Sequence, residues 1–393
     1  MFRHLQIYEP RERMLVGLAD WSIRPFAWFQ SAPPPAAVRR VLLLRLERIG
    51  DLLMVMGAIR DARAAWPDAE IDLAVGSWNR PMAALIPGIT RVDTADAPWL
   101  ARGNPDVSNA ALIRQARRWR DRNYDLVVNF EPDIRSNFLA WLTRAPRRVG
   151  YWTGGGGAFL TDASAYRPAS HVSVNARQLI ARAAGSAADL PEHSLPKLSP
   201  PADAGASADR LLQGRAGPFI GVHASGGRES KQWHLDRFAA VARRLAESRG
   251  ATIVLTGSPA DRPLVDAVLR ELGGVAVVDA GGALDLPALA ALLGRLDLFV
   301  TGDTGPMHLA AAVGTPVVAL FGPSNPARYG PLADRQRVIR IDLPCSPCGR
   351  VRLPPERCRG HVPDCLDGIS VERVVAAAIE LLDGSPARRP AVV

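Results

Sequence analysis

Before Cys345 the chain contains no cysteine, and its four cysteines all fall between Cys345 and Cys365. That distribution excludes a disulfide framework spread over the fold. Long apolar runs are also missing, because Asp20 and Arg24 interrupt the one stretch that approaches a membrane span. The first residues carry charge throughout (Arg3, Glu9, Arg11, Glu12, Arg13) and offer no smooth apolar segment before a small-residue cleavage site, so no secretory leader is expected. A cytoplasmic protein is the resulting expectation. Neither G-x-x-x-x-G-K-[ST] nor G-x-G-x-x-G occurs, which speaks against P-loop enzymes and ordinary dinucleotide dehydrogenases. Aromatic residues make up 6% of the chain and none interleaves with a basic patch, so no nucleic-acid partner is expected.

What is present suits two cores. The chain has 393 residues, 48% hydrophobic and 22% charged, more than one ordinary domain requires and too apolar for general disorder. A formal net charge of +9 favours an anionic partner: nucleic acid, an anionic membrane face or a phosphorylated substrate.

The pattern divides into an N-terminal extension (1–36), an α/β unit (37–190), a linker rich in Ala, Ser, Pro, Gly and Asp (191–217) and a second α/β unit (218–393). In the first unit Val41–Leu44, Ile71–Val75 and Leu126–Phe130 read as buried strands. A helix precedes Pro67, and a basic helix spans 109–122 with Arg114, Arg117, Arg118, Arg120 and Arg122. That basic run is either a solvated face or a surface for an acidic ligand. The linker holds a short helix near 208–213. The second unit shows strands at 219–222, 252–256, 275–278, 298–301 and 317–321, helices between them, and a last helix over 371–382. Strands alternating with helices predict two doubly wound parallel sheets, enclosing a cleft where a ligand would bind.

Chemistry concentrates in Phe299-Val-Thr-Gly-Asp-Thr-Gly-Pro-Met-His, where a strand meets a helix through a Gly-rich turn. A helix N-terminus offers unpaired amides and a positive dipole to phosphate. Gly302 and Gly305 allow close approach, and Thr304 can add a hydroxyl. Asp303 reads as an N-cap-like residue or as an acceptor for sugar hydroxyls. His308 alone would read as a buried structural histidine. Gly154–Gly157 reads as a flexible loop rather than a phosphate cradle. Glu131-Pro-Asp133 is the nearest approach to a metal-diphosphate motif, and it reads as polar loop residues.

The stretch from Asp303 to Ala312, with Leu320-Phe-Gly-Pro-Ser-Asn-Pro and Gly330-Pro331, resembles the donor-site signature of glycosyltransferase family 9, the family of ADP-heptose:lipopolysaccharide heptosyltransferases. Three further segments resemble it in order: Arg45-Leu-Glu-Arg-Ile-Gly-Asp-Leu-Leu, His223-Ala-Ser-Gly-Gly-Arg-Glu-Ser-Lys-Gln-Trp, and Thr256-Gly-Ser-Pro-Ala-Asp. The resemblance implies a GT-B fold of two Rossmann-like domains. It further implies an inverting, metal-independent transferase that moves a sugar from a nucleotide sugar, ADP-heptose, to an acidic glycolipid acceptor. Another nucleoside-diphosphate sugar, or a non-catalytic glycan-binding role on the same fold, are the alternatives. By the same resemblance Asp51 is the catalytic base and Lys231 meets the donor phosphates. Ser225, Asp303, Thr304, Gly305 and His308 contact the donor, and Asp261 is a further candidate near the ribose. Arg48 and Glu131 are the candidate acceptor contacts. Taken without the resemblance, Asp51 reads as an N-cap for a helix beginning at Leu52 and Lys231 as a loop lysine.

Two features lie outside the resemblance. Cys345, Cys348, Cys358 and Cys365 have intervals that suit a structural zinc, the alternative being reduced, packed thiols; no cofactor is otherwise expected. In the extension, Met14, Leu15, Leu18, Trp21 and Ser22 share one helix face, with Arg13, Gly17, Asp20 and Arg24 opposite; Trp28 and Phe29 follow Pro25. Such a segment either packs on the first unit or lies in the interface of the inner membrane face, with the basic helix adding attraction.

Overall fold

The computed structural model describes residues 2, 4–25, 37–101, 107–186 and 196–384. The chain forms two compact units, Met1–Glu192 and His193–Val393. The first holds a six-stranded parallel sheet of β1 (Arg40–Leu44), β2 (Glu70–Val75), β3 (Arg91–Thr94), β4 (Leu126–Asn129), β5 (Arg147–Tyr151) and β6 (Asp162–Ser164), in spatial order β3-β2-β1-β4-β5-β6. The second holds β7 (Phe219–His223), β8 (Thr252–Gly257), β9 (Val277–Gly281), β10 (Leu298–Gly302), β11 (Val317–Leu320) and β12 (Gln336–Ile339), ordered β12-β11-β10-β7-β8-β9. Renumbered within its own unit, the second order is the mirror listing of the first, so both sheets are wound alike. In each, the chain reverses direction of travel between the first and fourth strands (β1/β4 and β7/β10), and ligands of such sheets bind outside the carboxyl ends there.

The continuous apolar runs explain why these strands are central. Val41 to Leu44 are fully buried, as are Leu298, Phe299 and Val300 of β10, because helices cover both faces of each sheet. Strands β3, β5, β6 and β12 escape the sequence pattern. They are short or half-polar: β3 reads Arg-Val-Asp-Thr and β6 Asp-Ala-Ser, with no apolar run to mark them. The helix expected before Pro67 is two, Ile49–Met54 and Met56–Ala65, broken at Val55. The basic helix is regular over Asn109–Arg118 and tightens to a 3-10 turn over Trp119–Arg122.

The expected linker differs. Residues 191–195 lie outside the described residues, but a helix of Ala202–Leu212 packs in the second unit, and the Leu198 amide donates to the Ala312 carbonyl at 2.9 Å. A composition rich in small residues here reflects close helix packing rather than a tether.

The extension forms a helix, Pro10–Ile23, seated on the first unit. It docks by the face the sequence marks as polar. Asp20 accepts the Gly156 amide at 2.7 Å, and a Cβ on buried Gly17 would sit 2.2 Å from the Phe2 ring. Met14, Leu15, Leu18 and Trp21 face outward at 48–67% exposure. Trp28 and Phe29 lie outside the described residues. The Gly154–Gly157 run is no loose loop: residues 154–156 are buried, and a Cβ on Gly154 would lie 1.8 Å from the Pro132 carbonyl oxygen. Glycine is required there by the close approach of two backbones. Among the described residues no helix is long and apolar enough to cross a membrane.

Candidate active site

In the first unit the loops after β1 and β4 meet around Arg45, a residue to which the sequence reading assigns no role. Its side chain is 3% exposed. It donates to the Phe130 carbonyl at 3.0 Å, pairs with Glu47 at 2.8 Å and reaches Asp51 at 3.4 Å. Burial alone would favour the neutral guanidine; the carboxylates of Glu47, Asp51 and Glu131 outweigh it and raise the pKa above its ordinary value. An arginine directly after a strand of four buried apolar residues is the signal that points to it, since a buried charge needs partners.

Asp51 is the third residue of the helix Ile49–Met54, not the cap ahead of it, because that helix begins three residues before the expected start at Leu52. Its Oδ2 accepts the Arg48 amide at 3.3 Å. This bond and the 3.4 Å contact with Arg45 are both at the long edge of hydrogen-bond range, so the carboxylate is oriented but not saturated. It is about a quarter exposed. Arg48 is half-buried at the start of the same helix.

Glu131 is buried, and its Oε1 accepts the Leu46 amide. Burial first, then the nearby Glu47, push its carboxyl up to about 8 against the opposing pull of Arg45. A buried group so engaged shapes the β1 loop, and the side chain expected to meet an acceptor is thus buried in this structure. Asp133 caps the helix Ile134–Leu142, accepting the Arg135 amide at 2.7 Å, while the Arg135 guanidinium lies 4.5 Å over the Trp99 ring. Buried Asn129 and Asn137 complete the scaffold. Asn129 Nδ2 donates to Asn137 Oδ1 at 2.8 Å, and Asn137 Nδ2 donates to the Tyr151 and Gly155 carbonyls at 2.9 Å each.

In the second unit the candidate residues gather at the carboxyl ends of β7, β8 and β10. Lys231, in the 3-10 turn Glu229–Lys231, donates to the Asp303 carbonyl and to its Oδ2 at 3.0 Å. Both partners are largely buried, at 18% and 13% side-chain exposure. The loop that carries Lys231 is locked: Gln232 Oε1 accepts the Gly226 amide at 2.8 Å, and a Cβ on Gly226 would lie 2.6 Å from the Lys231 backbone. Below it Trp233 packs edge-to-face on Phe238, ring centroids 4.9 Å apart.

The helix Gly305–Val313 is capped by Thr304, whose Oγ1 accepts the Met307 amide at 3.4 Å; the N-cap is therefore Thr304 and not Asp303. Asp303 orients Lys231 instead. His308 is buried inside that helix. Asp261 caps its own turn, accepting the Ser258 amide at 2.8 Å. Its carboxyl is held below the usual range because the bonds from Ser258 and Ser225 and the nearby His223 outweigh the burial that acts against them. Burial in turn lowers the pKa of His223, whose Nδ1 sits 3.1 Å from the Thr256 carbonyl.

Lys231 and Lys197 are the two lysines among 48 basic residues. In a chain that uses arginine almost everywhere, a lysine in a glycine- and serine-rich loop marks a place where a compact point charge is wanted. Cys345 and Cys348 are exposed and Cys365 is buried, its thiol pushed up to about 11 first by burial. Among the described residues no group of three or more His, Cys, Asp or Glu is placed to hold a metal ion, Glu131 with Asp133 included.

The family model for glycosyltransferase family 9 (heptosyltransferase) matches residues 112–355. Lipopolysaccharide heptosyltransferase 1 of Pseudomonas aeruginosa is 28% identical over 325 residues, covering 79% of this chain and 86% of its own length. A glycosyl transferase of family 9 from Veillonella parvula superposes with a TM-score of 0.73 at 25% identity, over 88% of this chain and 98% of that one. The ADP-heptose lipopolysaccharide heptosyltransferase II of E. coli gives 0.71 at 22% identity, over 87% and 98%. The fold is accordingly the two-domain α/β architecture of the GT-B type.

Proposed function

This chain belongs to glycosyltransferase family 9, and from that premise we propose that it transfers heptose from ADP-heptose to a lipopolysaccharide-core acceptor. The observation that carries the reading is the Lys231–Asp303 pair set against the start of the helix Gly305–Val313. A fixed cation and a helix N-terminus worth about half a positive charge meet there, where charge grows on a departing diphosphate. The acceptor hydroxyl oxygen forms a bond to the anomeric carbon as the bond from that carbon to the diphosphate breaks. The electron pair leaves with the nucleoside diphosphate, and Asp51 takes the hydroxyl proton. One displacement inverts the anomeric centre. The P. aeruginosa and E. coli relatives named above bear the corresponding activity in their names.

The test is incubation with ADP-heptose and a heptose-free core acceptor, read by mass spectrometry as addition of one heptosyl group. Transfer from a different nucleotide sugar, with none from ADP-heptose, overturns the donor assignment. Because protein cations meet the leaving group, transfer is expected to continue at an unchanged rate after exhaustive chelation. Loss of activity in EDTA that magnesium or manganese restores would overturn metal independence.

The acceptor's lipid anchor gives the N-terminal helix a use. Its outward residues Met14, Leu15, Leu18 and Trp21, with exposed Tyr8 nearby, form an apolar face bearing aromatic residues of the kind that settle in a bilayer interface. The helix sits on the Gly154–Gly157 segment, which packs against Pro132 of the loop after β4, and Glu12 is close enough to Arg135 to raise its pKa. The apolar face thus lies beside the carboxyl end of the first sheet, where Asp51 stands. We therefore extend the proposal to peripheral binding at the cytoplasmic membrane through this face. Leu15→Ser/Leu18→Ser/Trp21→Ser is expected to lower binding to lipid vesicles at least tenfold while leaving transfer to a soluble acceptor fragment intact. Vesicle binding equal to that of the parent chain would overturn it.

A further inference from the structure

The basic helix expected to reinforce membrane contact stands elsewhere. Arg114, Arg117 and Arg118 end the helix Asn109–Arg118, and Arg120 follows in the 3-10 turn that leads into β4. With Arg144, from the turn that leads into β5, they line a cavity of about 1100 Å³. The cavity therefore lies at the amino ends of β4 and β5. The N-terminal helix sits at their carboxyl ends, so one flat surface cannot engage both.

The five guanidinium groups differ from most arginines of this chain. Arg122 pairs with Glu70 and Asp72, and Arg182 with Asp162. Among the described residues, none of the five side chains around the cavity has an ion pair or hydrogen-bond partner. Two carboxylates share the cavity. Asp125 is already engaged, accepting the Arg39 and Arg40 amides at 2.8 and 2.9 Å, which leaves Asp121 to face five cations. Five cations against two carboxylates leave the lining with an excess of positive charge.

Arg144 sharpens the point. It occupies the position after the C-cap of the helix Ile134–Leu142 with φ of 58°, a left-handed conformation that glycine adopts at helix ends without strain. A long side chain there has a conformational cost. Its guanidinium contributes to the cavity lining, which is what the choice of arginine supplies.

We propose that this cavity is a second anion site, taking a ligand with two or more clustered phosphate groups. Guanidinium forks match phosphate oxygens bidentately, and several of them around one concavity suit a multivalent anion better than a single one. The phosphates could come from a soluble oligophosphate or from the headgroups of an anionic lipid surface, and the experiment separates these sources. The site is independent of the transferase reading, since it shares no residue with the donor or acceptor candidates.

Tripolyphosphate is titrated into the full chain in the presence of saturating ADP, which occupies the Lys231 site. One equivalent is expected to bind, with affinity falling steeply as salt is raised. Arg117→Ala/Arg118→Ala should weaken it at least tenfold with ADP affinity unchanged. Arg144→Gly is the second variant: glycine relaxes the turn, so the melting temperature should hold or rise while tripolyphosphate binding falls. The same proteins are then sedimented with vesicles of phosphatidylglycerol and phosphatidylcholine. Loss of vesicle binding in both variants identifies a lipid headgroup as the source, and unchanged vesicle binding identifies a soluble phosphate ligand. Tripolyphosphate affinity equal to the parent's in the folded variants, or no binding by the parent at all, overturns the proposal.

Discussion

Asp51→Asn is expected to lower turnover by about 10²- to 10⁴-fold, the usual contribution of a positioned general base, with the affinity for ADP unchanged. The substitution keeps the shape of the side chain and removes its capacity to take a proton. Arg45 meets Oδ1 at 3.4 Å and the Arg48 amide meets Oδ2 at 3.3 Å; the asparagine oxygen can keep the Arg48 amide, so the helix Ile49–Met54 keeps its start, and only the long contact to Arg45 is given up. Arg45 retains Glu47 at 2.8 Å, and the buried charge is not left alone. Glu131 is the nearest rival as base, but it is buried and engaged by the Leu46 amide, and burial first, then Glu47, shift its carboxyl toward the protonated form. Glu131→Gln imitates that protonated form and should therefore cost far less turnover than Asp51→Asn. Single-turnover rates for both variants, with ADP affinity measured alongside, decide the matter. Turnover of Asp51→Asn within about tenfold of the parent would remove Asp51 as base.

The central strands and the last helix are legible in the sequence because a parallel sheet buried on both faces writes continuous apolar runs. Val41–Leu44 and Leu298–Val300 are such runs, and the final helix spans Val371–Leu382 as its periodicity requires. The edge strands leave no such mark, since β3 and β6 are half-polar. The N-terminal helix shows a different limit. Its periodicity identifies an apolar face correctly, yet packing selects the other one, because Asp20 accepts the Gly156 amide and a Cβ on Gly155 would lie 2.6 Å from the Val16 side chain. Periodicity tells which residues share a side, not which side meets the domain. At the candidate site, the family resemblance singles out Asp51, Lys231 and the turn at Asp303, whose roles here are proposals. The partnership of Lys231 with Asp303, 72 positions apart, arises from the adjacency of β7 and β10 and is written nowhere locally. Arg45 and Glu131 likewise acquire their character from burial, which depends on the completed sheet.

Lys231→Ala is expected to weaken ADP binding by about ten- to a hundredfold, in line with the 1.5–3 kcal/mol typical of a hydrogen bond to a charged group, and to lower turnover further. Turnover should fall more than affinity because negative charge on the diphosphate grows as the sugar leaves, so the cation is worth most in the transition state. A complication lies in its partner. Removing Lys231 bares the Asp303 carboxylate, only 13% exposed, and an unpaired acid at that place would itself repel a diphosphate. The double variant Lys231→Ala/Asp303→Asn separates the two effects, since a double-mutant cycle isolates what the pair contributes jointly. If the lysine meets phosphate directly, neutralising Asp303 recovers little of the lost affinity. If the loss comes from the bared acid, the double variant binds ADP nearly as tightly as the parent. Calorimetric titration of ADP into the parent chain, both single variants and the double variant gives the four affinities required, and multiple-turnover rates give the transition-state term. Unchanged ADP affinity together with normal turnover in Lys231→Ala would take the lysine out of the site altogether.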